Sequence, residues 1–490
     1  MALLRELTTV VPLTEHFGSL DLSVNGVQFD SRKVEAGDVF VAVPGTQVDG
    51  HRFIPTALER GAAAVVCERL PDDRRPETTY LRVPSASHAL GLLAHALRGH
   101  PSRRLSLVGV TGTNGKTTTA TLLYRLYTAL GYSCGLLSTI RNYVKGEVIP
   151  STHTTGDSLQ IAELMARMVE EGCTHCFMEV TSHAIDQNRI SGLEFDGAVF
   201  TNLTQDHLDY HHTMEVYRDV KKSFFDNLPS EAFALANADD DSGLYMIRDT
   251  HARRATYGRG PDSDFRLEVV SSDFAGLRIR INGTPVASKL VGLFNAYNAA
   301  AVIGAATLLK ERFDRVVAEV EKLEPVEGRM ERIAGPDEIT VVVDFAHTPD
   351  ALEKVLANLA SMNPAGVPII TIVGCGGDRD REKRPIMGEI AAKHSNQVIF
   401  TSDNPRSESA DGIIEEMMVG VPPALRNRVS VVADRKKAIE STCAGAPSAS
   451  LILIAGKGHE KYQEIRGERR PFDDVALARA SLKRRAAGDA

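Results

Sequence analysis

The stretch Val108-Gly109-Val110-Thr111-Gly112-Thr113-Asn114-Gly115-Lys116-Thr117-Thr118 joins an apolar run, Leu105 to Val110, to a helical pattern from Thr118 to Leu130. A strand that turns through glycines into a helix N-terminus commits the chain to βαβ units and a mostly parallel sheet. In such a sheet the ligand sits at the carboxyl ends of the strands. The loop itself has the makings of a phosphate cradle. Glycines let backbone N–H groups turn toward an anion, the helix N-terminus adds its positive dipole, and Lys116 supplies a point charge. The Thr117 hydroxyl is placed to reach Mg²⁺. One glycine is displaced from the usual P-loop pattern, with Val110 where the first is expected and Gly109 one residue early. The strand–loop–helix context and the Lys-Thr pair still point to nucleotide binding.

At 490 residues the chain exceeds one core, and about three domains of ordinary size are expected. A content of 43 % hydrophobic and 24 % charged residues suits a soluble globular protein. The net charge of −8 argues against nucleic acid as a nonspecific partner. No apolar run reaches membrane-spanning length, and the longest, Leu451 to Ala455 and Ala62 to Cys67, suit buried strands. The N-terminus carries Arg5 and Glu6 and no signal-peptide apolar block. A cytoplasmic enzyme without a membrane partner is therefore expected, and a monomer is the expectation for its assembly, on which the sequence carries no signal. Of six scattered cysteines only Cys173-Thr174-His175-Cys176 has ligand-like spacing, and no second pair completes a zinc site. Packed thiols are the expectation there.

The first hundred residues alternate short strands with polar turns and close with a helix, Ser87 to Leu97. His100-Pro101-Ser102-Arg103-Arg104 reads as a linker, and the charged stretch Glu321 to Arg332, with Pro325 and Gly328, as a second boundary. Domains are expected at 1–101, 102–331 and 332–490. In the middle block, strands at Ser133 to Thr139, His175 to Thr181 and Asp196 to Thr201 alternate with helices, and Phe265 to Ile281 reads as an appended hairpin. The last block, with strands beginning at Ile339, Ile369, Val398, Val429 and Leu451, is again doubly wound α/β.

Several polar clusters fall at strand ends. Glu179, within Met178-Glu179-Val180-Thr181-Ser182-His183, is placed to hold the Mg²⁺ that Thr117 touches, or else to cap the next helix. In Asn202-Leu203-Thr204-Gln205-Asp206-His207-Leu208-Asp209-Tyr210-His211, the i, i+4 histidines resemble a zinc pair but lack a thiolate. Beside a P-loop and Glu179, His207 reads as a second metal position, with a solvated polar turn as the alternative. Lys221-Lys222, by residue type alone, reads as a surface pair. Four glycine-bearing or polar loops follow successive strands of the last block: Asp344 to Pro349, Gly374 to Asp380, Asp403 to Arg406 and Gly456 to Glu460. Together they would converge on one crevice.

With these motifs in hand, the chain resembles the Mur ligases over essentially its full length, and among them those adding the third residue of the peptidoglycan stem peptide. Thr111 to Thr118 matches that family's own P-loop variant. The runs Glu179-Val180-Thr181-Ser182-His183, Asn202 to Asp209, Asn295-Ala296-Tyr297-Asn298-Ala299-Ala300, Gly328-Arg329-Met330-Glu331 and Gly456-Lys457-Gly458-His459-Glu460 match as well. The resemblance implies a three-domain α/β fold: a UDP-binding N-terminal domain, a central P-loop ATPase domain and a C-terminal Rossmann-like domain. It implies that ATP activates the D-Glu carboxylate of UDP-MurNAc-L-Ala-D-Glu as an acyl phosphate, which the amine of a diamino acid then attacks. ATP would be held by Gly112, Thr113, Asn114, Gly115, Lys116, Thr117 and Thr118, with Asn295, Asn298, Arg329 and Asp344 around adenine, ribose and phosphates. Thr117, Glu179, His207 and Lys221 would hold Mg²⁺, Lys221 as a carbamate in the motif Tyr217 to Lys221. Lys116, Glu179, His207 and Lys221 would carry catalysis. Ser31, Thr46, Gln47 and Val48 correspond to UDP-contacting segments, and Thr154, Thr155, Thr181, Gln187 and Arg189 to positions that bind the muramyl peptide.

Asp403-Asn404-Pro405-Arg406 matches the signature of relatives that use meso-diaminopimelate. Arg406 can fork onto a distal carboxylate that lysine lacks. Arg379, Asn404, Gly456 and Glu460 accompany it by the same resemblance, Glu460 pairing with the distal ammonium. Such a site rejects an analogue lacking the polar group by roughly 10⁴-fold. Lysine or ornithine as the added amino acid, or a catalytically inactive ATP-binding regulator, are the alternatives.

Overall fold

Three main sheets follow one another along the chain in this computed structural model, which describes residues 2–45, 48–150, 154–363 and 365–488. The first sheet is small. Its spatial order is Glu15–Phe17, Thr79–Arg82, Ala64–Cys67, Val39–Val41 and Val27–Gln28, parallel except for the antiparallel edge strand Glu15–Phe17. A helix, Ala86–Leu97, starts where the Ser85 side chain accepts from His88 N. Its Gly91 lies so close to the next domain that a Cβ there would come within 2.5 Å of Ser191 O, and His88 Nδ1 sits 2.9 Å from Ser191 Oγ.

The central sheet has β1 (Ser106–Thr111) at its heart, hydrogen-bonded in parallel to β2 (His175–Glu179) and β3 (Gly197–Phe200). Glu179 pairs with Val110 and Phe200 with Thr111, so the loops that follow all three strands emerge at one edge. β1 is apolar because both of its faces are covered. Helix α1 (Lys116–Ala129) begins at Gly115, and α2 (Met214–Asp226) packs on the sheet. The displaced glycine has its reason here: a Cβ on Gly109 would meet the Phe224 ring at 2.6 Å and Phe195 at 2.9 Å. Gly109 therefore lets α2 settle on the sheet and has no part in the phosphate loop. Helix α3 (Leu293–Leu308) uses Ala296, Ala299 and Ala300, all fully buried. The expected hairpin is present as Phe265–Asp273 and Gly276–Ile281, but a third strand, Thr284–Ser288, extends it.

The last sheet comprises β4 (Thr340–Asp344), then, after helix α4 (Pro349–Ser361), β5 (Ile369–Val373), β6 (Gln397–Phe400) and β7 (Leu451–Ala455). In space the order is β4-β7-β5-β6, all parallel, with Val429–Val431 beyond β6 and an antiparallel edge strand, Glu331–Ala334, beside β4. Thr348 caps α4 by accepting from Ala351 N, and Pro349 occupies its first turn. The four polar loops singled out in the sequence leave β4, β5, β6 and β7 at the same end. Among the described residues no helix is long and apolar enough to cross a membrane.

Candidate active site

A cavity of about 540 Å³ opens at the carboxyl ends of the central strands, with α4 forming part of its wall. Thr113 to Thr118, Glu179, His207, Asn298, Arg329 and Asp344 all line it. The phosphate loop is glycine-dependent at two positions. Gly112 has φ +144°, and a Cβ there would lie 2.0 Å from Thr201 Oγ1; Gly115 has φ +88° and abuts Asn298 Oδ1. The loop is braced from the next strand end, since Asn114 N donates to Asn202 Oδ1 at 3.0 Å and Thr201 Oγ1 donates to Asn114 O at 2.6 Å. Lys116 Nζ folds onto the carbonyls of Gly112 and Thr113, at 2.9 and 2.7 Å.

Arg329 reaches this loop from beyond the second boundary. Its Nη2 donates to Thr117 Oγ1 at 3.2 Å, its guanidinium lies 4.5 Å from the Phe345 ring centre, and its buried Nε has no partner. A buried unsatisfied donor on a cation beside a phosphate loop suits an anionic ligand. Asp344 accepts from Met330 N at 2.7 Å and so fixes the chain at Arg329. Asn295 stands behind the lining and orients Asn298, whose Nδ2 donates to Asn295 Oδ1 at 2.8 Å.

Beside the loop, Thr117 Oγ1 donates to Glu179 Oε2 at 2.9 Å, while Glu179 Oε1 accepts from Thr139 N at 2.7 Å. His207 takes a left-handed backbone conformation, φ +55°, unusual for a residue with a side chain. Burial holds its imidazole down to about 3, leaving it neutral with a lone pair available. The Thr117 and Glu179 oxygens suit a hard divalent cation, and the neutral His207 imidazole lines the same cavity. His211 does not join it, because its Nε2 lies 2.9 Å from Ser182 Oγ on the other side.

The surface reading of Lys221-Lys222 is overturned, because both side chains are buried. Lys221 Nζ donates to Gly112 O at 3.1 Å and sits 4.6 Å from the centre of the Tyr217 ring, whose hydroxyl is 3.2 Å from Thr113 Oγ1. Burial first, and then the Lys116 charge, push its amine well below the usual lysine range. Lys222 instead pairs with Asp226 at 2.6 Å and Asp249 at 2.8 Å.

Next to Glu179 the expected peptide residues form one network. Thr155 Oγ1 donates to Glu179 O at 2.8 Å, Arg189 donates to Thr155 O at 3.0 Å and to Gln187 Oε1 at 2.6 Å, and Gln187 Nε2 donates to Tyr210 OH at 3.2 Å. Thr154 and Thr181 line the main cavity. Ser31 and Val48 lie in the N-terminal domain, Ser31 buried and Val48 exposed. Thr46 and Gln47 fall outside the described residues.

The remaining residues gather on the C-terminal loops. Arg406 Nη1 donates to Gly377 O at 2.6 Å and Arg379 Nη1 to Asp378 O at 2.9 Å. Among the described residues neither arginine has a carboxylate in an ion pair, and burial and the Arg406 charge weaken the hold of Arg379 on its proton. Asn404 Nδ2 donates to Glu460 Oε2 at 2.8 Å, Pro405 lies between Asn404 and Arg406, and the buried Asp403 packs on Gly456. Glu460 is not free, since the buried Lys457 donates to its Oε2 at 2.8 Å and to Asn404 Oδ1 at 2.9 Å. Sequence reasoning also missed Arg384, which is fully buried and binds both oxygens of Glu408 at 2.8 and 2.9 Å. Glu408 in turn accepts from Asp378 N, so this pair staples the two arginine-bearing loops together. A lone Arg in a helix carries no local signal of that role. All six cysteines are buried free thiols.

The Mur ligase family catalytic domain matches residues 23–98, the Mur ligase middle domain 110–306, and the Mur ligase glutamate ligase domain 328–458. The chain is 49 % identical over 471 residues to the UDP-N-acetylmuramoyl-L-alanyl-D-glutamate–2,6-diaminopimelate ligase of Parabacteroides distasonis, covering 96 % of this chain and 97 % of that one. It is 48 % identical to the ligase of the same name from Cytophaga hutchinsonii, over 98 % and 99 %. A solved structure bearing that name aligns at 32 % identity and TM-score 0.69, over 98 % and 99 % of the two chains. A MurF ligase from Thermotoga maritima in complex with ADP shares the fold at 19 % identity and TM-score 0.63, over 95 % and 99 %.

Proposed function

Because this chain belongs to the Mur ligase family, we propose that it is the ATP-dependent ligase joining meso-2,6-diaminopimelate to the D-glutamate of UDP-MurNAc-L-Ala-D-Glu, in cytoplasmic synthesis of peptidoglycan precursors. One observation carries the reading beyond the family: Arg379 and Arg406 stand side by side against Gly376 with no carboxylate in an ion pair to either among the described residues, on loops of the same domain that supplies a wall of the phosphate cavity. A substrate carboxylate at the far end of a diamino acid is what such a pair accepts. Residues 1–101 take the UDP end through Ser31, Thr46, Gln47 and Val48, 102–331 hold ATP, and 332–490 hold the amino acid.

An amine does not attack a carboxylate. The D-Glu carboxylate therefore first takes the γ-phosphoryl group of ATP, with the bond to ADP breaking as the acyl phosphate forms. This step needs positioning and charge neutralisation rather than a protein nucleophile. Gly112 to Thr118 present N–H groups to the phosphates, and Lys116 and Arg329 leave their resting contacts to bind phosphate oxygens. Thr117, Glu179, His207 and a carbamylated Lys221 would hold Mg²⁺, which when bound neutralises phosphate charge. Thr155, Thr181, Gln187 and Arg189 orient the muramyl peptide. Arg406 and Arg379 grip the distal carboxylate of diaminopimelate, while Asn404, Lys457 and Glu460 order its distal amino-acid end. The proximal amine attacks the acyl carbon and phosphate departs. Lys221 supports the carbamate reading through its burial and lowered basicity: its neutral amine adds to CO₂ and releases one proton.

Phosphate release from ATP with UDP-MurNAc-L-Ala-D-Glu, compared across meso- and LL-diaminopimelate, lysine and ornithine, tests this reading. Turnover with the meso isomer at least about 10³-fold above lysine is expected. A preference for lysine overturns the role of Arg406, and no turnover with any of the four overturns the ligase assignment.

A further inference from the structure

Helix α4 presents a polar stripe to the central domain. Asp350, Lys354 and Asn358 are spaced i, i+4, i+8 and so share one face. At one end Asp350 Oδ2 accepts from Asn114 Nδ2 of the phosphate loop at 2.8 Å and from Thr204 Oγ1 at 3.1 Å. At the other, Asn358 Oδ1 accepts from the backbone N of Leu293, the first residue of α3, at 2.6 Å. Between them Lys354 pairs with Asp350 at 2.9 Å, and Ala351 and Val355 line the cavity. The backbone of Asn114 is already held by Asn202 and Thr201, which leaves its side chain to make the contact between domains.

Asp350 sits in the first turn of α4, where the helix dipole favours a carboxylate. Its side chain remains one quarter exposed. A rim contact of this kind can be made and broken without unfolding either domain, unlike the fully buried Arg435–Asp474 pair inside the C-terminal domain. The stripe also occupies a decisive place. α4 follows β4 directly, and the neighbouring strands β5, β6 and β7 carry the loops of Arg379, Arg406 and Glu460. The seating of α4 therefore sets how far the amino-acid loops stand from the phosphate loop.

We propose that Asp350 is a positioning residue that pins the C-terminal domain to Asn114 and Thr204, in the register at which the amine meets the acyl phosphate. The proposal rests on the ligase reading and deepens it. The pin acts chiefly on delivery of the amine, because the loop Gly112–Thr118 that holds the phosphates keeps its own bracing from Thr201 and Asn202, while the C-terminal side adds to that cavity only the start of the Asp344 to Pro349 loop and the α4 wall. A contact that merely added stability would slow both steps together.

Two readouts on the full chain test it. Spin labels at Leu244→Cys in the central domain and Val419→Cys in the C-terminal domain fall on sites 61 % and 75 % exposed, while the native cysteines are buried. The label–label distance distribution should broaden or shift in Asp350→Ala. It should stay close to the parent in Asp350→Asn, which keeps an acceptor oxygen for both donors. An unchanged distribution in Asp350→Ala overturns the pin, and this measurement needs no turnover. The second readout separates the steps: acyl phosphate trapped with hydroxylamine, against amide formed with diaminopimelate. Amide formation in Asp350→Ala should fall about tenfold more than acyl-phosphate formation, with Asp350→Asn recovering most of it. Equal losses in both steps overturn the register role. A parent chain that forms neither product overturns the ligase reading and the catalytic half of the proposal with it, while the distance readout still decides whether the contact exists.

Discussion

Lys221 and Lys222 are neighbours on α2, both buried, and electrostatically opposite. Lys222 lies against Asp226 and Asp249, and these contacts hold its ammonium above the usual lysine range against the cost of burial. Lys221 turns about 100° round the helix to the sheet edge, where it meets Gly112 O, the Tyr217 ring and the charge of Lys116. One is a structural cation and the other an amine that gives up its proton easily. The C-terminal domain repeats the contrast with arginines: Arg384 is buried between Glu408 and Glu416, whereas among the described residues the Arg406 guanidinium is held by a backbone carbonyl. In both regions the paired cation builds the scaffold and the unpaired one lies where the proposed chemistry takes place.

The sharpest way to break this comparison is to exchange the two lysines' fates. Lys221→Arg keeps charge and bulk but cannot carry a carbamate, so turnover is expected to fall about 10³-fold. Lys222→Met should stay within about twofold of the parent. Equal losses in a phosphate-release assay would erase the distinction. Next in size are the arginines. Arg384→Met strips a buried partner from two carboxylates and should cost about 3–5 kcal/mol in denaturant unfolding. Arg406→Lys should leave stability unchanged and raise the KM for diaminopimelate about 10- to 100-fold, since lysine cannot fork onto a carboxylate.

The pH dependence follows from the scaffold pair. Arg384 and the Asp378 N–H hold the Glu408 carboxyl down to about 2, against 4.5 unperturbed. A depressed carboxyl stabilises the fold fully above its unfolded value and loses that contribution as pH falls toward its folded one. The gap in denaturation midpoint between the parent and Glu408→Gln should therefore be constant above about pH 5.5 and shrink below about 4.5. A gap independent of pH down to 3.5 would place the effect elsewhere. The smallest effect belongs to Lys222→Met, at about 1 kcal/mol of stability, because both of its carboxylates remain partly in water.

Much of the site was legible because it is local. A phosphate loop needs its glycines, lysine and threonine within one turn of chain, and strand-end motifs occupy a few consecutive residues. Asp344, Gly374, Asp403 and Gly456 announced four converging loops for that reason. Other features were not legible. Gly109 looked like a misplaced phosphate glycine, yet its missing side chain makes room for Phe224, a residue 115 positions later. The strand Thr284–Ser288 carries Pro285 and gave little period-two signal. Lys221 and Lys222 read as a surface pair because residue type says nothing of what covers a helix. Arg384 and Asp350 bore no motif, since their partners at Glu408, Asn114 and Thr204 lie far along the chain.

The sequence by itself determined the α/β class, the phosphate loop, the order of the strand-end motifs and the family to which they belong, because each rests on short-range pattern and on residue chemistry that survives without coordinates. Tertiary structure alone decided which cations are neutralised. That depends on carboxylates brought in from distant positions and on how much water each ammonium or guanidinium loses, and neither quantity is encoded in any local run of residues. It also decided that α4 of one domain rests on the phosphate loop of another through Asp350, a contact between residues 236 positions apart.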